Sequence, residues 1–68
     1  MNIDHISTQE ALEEVSEELR RRERVYPFEV SKGRMTEAQV EHGITAMKAA
    51  KCKLERLMHQ EQGQTELF

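Results

Sequence analysis

The chain has one cysteine, one proline, three glycines and no tryptophan, and each shortage removes an option. A lone Cys52 excludes an internal disulfide and fits a reducing compartment. Few prolines and glycines leave few places for the backbone to break, which favours long helices. No apolar run approaches the ~18 residues of a membrane span. The opening MNIDHISTQE lacks the charged-then-apolar layout of a signal peptide, so the expected location is the cytoplasm.

Catalytic and metal chemistry is equally sparse. The sequence holds no glycine-rich phosphate loop, no paired-cysteine zinc spacing and no His-Glu-x-x-His. Cys52 and His59 are seven apart, two turns along one helix, too far for one metal without other chains. Cys52 therefore reads as a buried or neutral side chain. His5, His42 and His59 lack the partner that an activated nucleophile needs. The expectation is a non-enzyme with no catalytic residue, no metal and no cofactor. A net charge of −3 argues against a free-standing nucleic-acid binder, which usually carries a basic excess.

What is present is helical patterning. With 68 residues there is room for one domain, and a chain of this size buries only about 60% of its unfolded surface. A monomer is marginal, and oligomerisation is the natural source of further burial. The organising stretch runs from Thr36 to about Gln62. There Val40, Ile44, Met47, Leu54 and Met58 recur at helical spacing, with Leu57 beside them. Thr36-Glu37-Ala38-Gln39 is a capping box that starts this helix, expected over about 37–61. Gly43, Ala46, Ala49 and Ala50 form a strip of small residues beside the stripe. A helical glycine costs up to ~1 kcal/mol, which suggests close approach of another helix. Lys51 interrupts the stripe, either snorkelling to its edge or setting oligomer register.

Upstream, Ser7-Thr8-Gln9-Glu10 reads as another capping box, opening a helix over about 8–25 with Leu12, Val15, Leu19 and Tyr26 on its apolar stripe. Its charges are segregated. Glu10, Glu13, Glu14, Glu17 and Glu18 precede Arg20, Arg21, Arg22 and Arg24, an order that opposes the macrodipole charges. Glu17–Arg21 and Glu18–Arg22 stand at pairing distance along the helix. The four arginines read first as a solvated helix end, and second as a contact for phosphate or an acidic partner. A nucleic-acid reading would add Lys48, Lys51, Lys53 and Arg56.

Tyr26-Pro27 is expected to end this helix, because the residue before proline is pushed out of the α region. Pro27–Lys32 then reads as a short helix, stopped by a left-handed Gly33, with Phe28 and Val30 plugging the end of the hairpin. The fold expected is all-α: an antiparallel helical hairpin with a short helix at the turn, which a homodimer would close into a four-helix bundle. Residues 1–62 form the hairpin domain. Residues 63–68, after a C-cap at Gly63, form a flexible tail.

Two resemblances add a setting. Gln64-Thr65-Glu66-Leu67-Phe68 resembles the Q-x-x-L-F peptide by which bacterial DNA replication and repair proteins bind the sliding clamp. The resemblance implies that Gln64 is a polar anchor at a pocket rim, and that Leu67 and Phe68 fill a hydrophobic cleft. Thr65 and Glu66 stand where the peptide often has an apolar and a small or aspartate residue. Second, Arg22-x-x-Val25-Tyr26-Pro27, Val30, Gly33-Arg34-Met35-Thr36, Ala38 and Ile44-x-x-Met47-x-Ala49 resemble a group of small phage and prophage proteins. Together they imply a phage adaptor in a bacterial host, with the sliding clamp as partner. The competing expectation is a helical oligomer acting through its hairpin surface.

Overall fold

The computed structural model describes the backbone of residues 3–66 and the side chains of residues 3–62. A short 3-10 turn, Ile3–His5, precedes two long helices, α1 (Thr8–Ser31) and α2 (Glu37–Glu66). The two helices pack against each other as an all-α hairpin, and no strand occurs among the described residues.

Each helix starts and stops through local chemistry. The Ser7 hydroxyl accepts from the Glu10 amide at 3.0 Å, and the Glu10 carboxylate accepts from the Ser7 amide, satisfying two amides that the helix leaves unpaired. Thr36 and Gln39 do the same for α2, at 3.1 and 2.9 Å. At the far end of α1 the Gly33 amide donates to Val30 O and the Arg34 amide to Glu29 O, the paired bonds of a Schellman cap. That cap needs a left-handed residue, and Gly33 supplies it at φ +74°.

The expected break at Pro27 does not occur. Proline removes one backbone bond and crowds the preceding turn, a cost near 3 kcal/mol in a helix interior. Against that, Leu19, Tyr26 and Val30 keep one helical phase across Pro27 and all face the seam with α2. A break would lose the Tyr26 and Val30 contacts, so the short helix expected over 27–32 merges with the helix expected over 8–25. α2 likewise continues through Gly63 rather than stopping there. A single glycine among good helix formers costs only about 1 kcal/mol. Of the tail expected over 63–68, residues 63–66 therefore have helical backbone, and Leu67 and Phe68 lie outside the described residues.

The seam is thin. Leu19 is the one buried hydrophobic side chain among those described, at 7% exposure. Leu12, Val15, Tyr26, Val40, Ile44, Met47, Leu54 and Met58 are half-buried along it, and Lys51 shares that burial. Phe28 does not plug the hairpin end. It is 54% exposed, with Lys32 Nζ 5.3 Å and Arg34 Cζ 5.7 Å from its ring centre. Cys52, expected buried or neutral, is exposed.

At Gly43 the two helices approach closely. A Cβ added there would stand 2.9 Å from Tyr26 Cε2, tighter than side chains tolerate. This fixes the sign of a double-mutant cycle. In the native chain, Gly43→Ala sets a helix-propensity gain of about 1 kcal/mol against overpacking of about 1–3 kcal/mol. In a Tyr26→Ala background the clash is gone, and Gly43→Ala should stabilise by about 1 kcal/mol. Urea denaturation of the four chains measures both; an identical effect of Gly43→Ala in the two backgrounds would contradict the packing.

Candidate functional site

The arginine cluster occupies the second half of α1, and the structure divides it. Arg22 is half-buried at the seam. Its Nε donates to Glu18 Oε2 at 2.8 Å and its Nη1 donates to Gly43 O at 3.0 Å. A helical carbonyl has a second lone pair, so Gly43 can accept this bond without giving up its place in α2. The guanidinium also stands 5.8 Å from the Tyr26 ring centre, within cation–π range. Arg22, Tyr26 and Gly43 thus form one latch, and the absence of a Gly43 side chain lets the tyrosine ring and the guanidinium reach α2.

Arg21 makes a two-pronged contact with Glu18, at 3.0 and 2.9 Å. The expected Glu17–Arg21 pair is therefore replaced. Glu18 is held by Arg22 on one oxygen and offers its fork to Arg21 three residues on, a geometry that matches the planar guanidinium. Arg20 and Arg24 are exposed and form no ion pair among the described residues. The four arginines therefore divide into two that pair with Glu18 and two that form no ion pair among the described residues.

The residues behind the phage-protein resemblance are in large part those that shape the hairpin. Arg22 and Tyr26 latch α1 to α2, and Gly33 and Thr36 close one helix and open the next. Arg34 reaches back to Glu29, donating from Nη2 to Oε1 at 3.2 Å, and so braces the turn. Sequence reasoning flagged Gly43 as a close-approach residue; its partner depended on the register between the helices, which no local pattern carries.

The C-terminal peptide is reached along α2. The Thr8 hydroxyl donates to Glu61 Oε1, which sets the first residue of α1 level with Glu61. α2 then runs on to Glu66, carrying the backbone of Gln64 past that level. No described helix is long and apolar enough to cross a membrane, and no cluster of described His, Cys, Asp or Glu side chains has the arrangement to hold a metal ion. No protein-family model, curated protein or solved structure matches the chain.

The ion pairs give a pH dependence. The guanidinium of Arg21, and then that of Arg22, holds the Glu18 carboxyl below its usual 4.5, and Arg34 does the same for Glu29. Both groups ionise more readily folded than unfolded. Their stabilisation is complete above the unfolded value and disappears as the pH falls through the lower folded values. A Glu18→Gln/Glu29→Gln chain should melt at a lower temperature near neutral pH and lose less on acidification to about pH 3. Parallel melting-versus-pH curves for the two chains would contradict these pairings.

Proposed function

We propose that the protein is a non-enzymatic phage or prophage adaptor that docks on the bacterial sliding clamp through Gln64, Leu67 and Phe68. The observation that carries this reading is the Q-x-x-L-F pattern at the end of the chain. Supporting it, α2 continues past the level at which α1 begins, so Gln64–Glu66, whose backbone is helical, belong to a stretch of α2 that α1 does not flank. Two adjacent apolar side chains gain by leaving water for a cleft, each worth about 1.5–3 kcal/mol when fully buried. Such a pair provides most of what a short docking peptide needs, with the glutamine fixing its orientation. The hairpin is then the body that the clamp is asked to carry, or a body that excludes other clamp partners.

A titration against a purified clamp from the cognate host tests this. The intact chain should bind with a Kd of about 10 µM or tighter, and Leu67→Ala/Phe68→Ala should weaken binding by at least ~100-fold. Circular dichroism should show the hairpin unchanged in the variant. Failure of the intact chain to bind, or equal binding by the variant, would overturn the reading.

A further inference from the structure

Two helices form a single layer, and a layer has two faces. By the helical period, Arg22 and Gly43 meet on one side of the seam, while Ser16 and Pro27 of α1 and Ile44 of α2 lie on the other. On that second side the surface is grooved. One shallow depression is floored by Leu12, Ser16 and Met58, and another by Pro27, Val30 and Val40. The two depressions lie toward opposite ends of the hairpin, the first bordered by Glu13, Glu17 and Arg20 and the second by Glu37 and Glu41.

The surface area says how much is left uncovered. The chain exposes 5702 Å². A compact monomer of 8.0 kDa is expected to expose about 4,500 Å². The excess, roughly 1,200 Å² spread over the whole chain, is an upper bound on what this face leaves uncovered, so mutual cover by two chains would remove at most about 2,400 Å², a total that reaches the range of obligate homodimers. A groove that receives only a short peptide would leave most of it exposed.

Charge selects the occupant and its direction. Glu13, Glu17, Arg20 and Arg24 follow one another at steps of four, three and four, forming a single edge along α1. Glu13, Glu17 and Arg20 border the Leu12–Met58 groove, and Glu17, Arg20 and Arg24 also line a separate depression on the outer side of α1, shared with Glu14, Glu18 and Arg21. All four are exposed, and among the described residues none is in an ion pair within the chain. A two-fold axis near Leu19 would reverse this edge onto itself, bringing the acidic half of one α1 against the basic half of the other. Parallel stacking would instead set like charges opposite each other.

We propose that a second copy of this chain covers the Leu12–Met58 and Pro27–Val40 face, with the two α1 helices antiparallel about a two-fold axis near Leu19. The product is a bundle of four long helices whose shared core lies between two hairpin layers. It uses no residue of the C-terminal peptide, so it stands or falls separately from the clamp reading.

Sedimentation equilibrium on the full chain tests the proposal, with a Cys52→Ser chain run beside it so that a disulfide-linked species is told apart. Both should be dimers, with a Kd of about 10 µM or tighter. Charge reversal then tests the arrangement. Glu13→Arg/Glu17→Arg and Arg20→Glu/Arg24→Glu change only exposed side chains, and each alone should dimerise at least ~10-fold more weakly. An equimolar mixture should recover native affinity as a heterodimer. Chains that stay monomeric up to roughly millimolar concentration, a dimer that vanishes in Cys52→Ser, or reversal variants that dimerise like the native chain would each overturn it.

Discussion

Two helices laid side by side cannot enclose a core, and most features of this structure follow from that constraint. Leu19 alone among the described side chains is buried, and the rest of both apolar stripes stays partly wet. Little hydrophobic burial is therefore available to choose where each helix begins, where it turns and how the two align. Local hydrogen bonding takes over those tasks. Capping boxes at Ser7 and Thr36 and the Schellman closure at Gly33 define the ends, each of the order of 1 kcal/mol. The close approach of Tyr26 to Gly43, with Arg22 fastened across it, fixes the alignment.

The charge pattern shares in the same economy. Glu18 serves two arginines at once, and one of these carries its charge to a carbonyl of the opposing helix. An arginine does this better than a lysine because its planar fork reaches two acceptors while its face meets an aromatic ring. The arginines not used this way, Arg20 and Arg24, lie on the edge of α1 that faces away from the latch. Segregated charge thus divides between holding the hairpin and lining a surface that the hairpin leaves open.

What could be read from the sequence was local. Both capping boxes and the left-handed Gly33 rest on residues within a few positions of one another, and all appear as expected. The all-α hairpin itself followed from the periodicity of the two stripes. The break at Pro27 failed because a local rule lost to a longer-range one: the seam needs Tyr26 and Val30 in one phase. Phe28 was misplaced, and of the two alternatives for Cys52 the buried one fails, because hydrophobicity predicts burial only where something exists to bury against, and a two-helix layer offers little. The replacement of Glu17 by Glu18 as partner of Arg21 depended on where Arg22 was already held. Gly63 was read as a stop, yet a glycine without a proline or an apolar cap beside it is a weak one.

The pairing proposed above would make this hairpin half of a folded unit that reaches its stability by association. The most direct measurement is the thermal midpoint of the full chain across about a hundredfold range of concentration, under reducing conditions. Folding coupled to association raises the midpoint steadily with concentration, because mass action favours the paired state. Pairing requires that rise. A midpoint that stays constant over the whole range would contradict it and leave the hairpin a self-sufficient monomer.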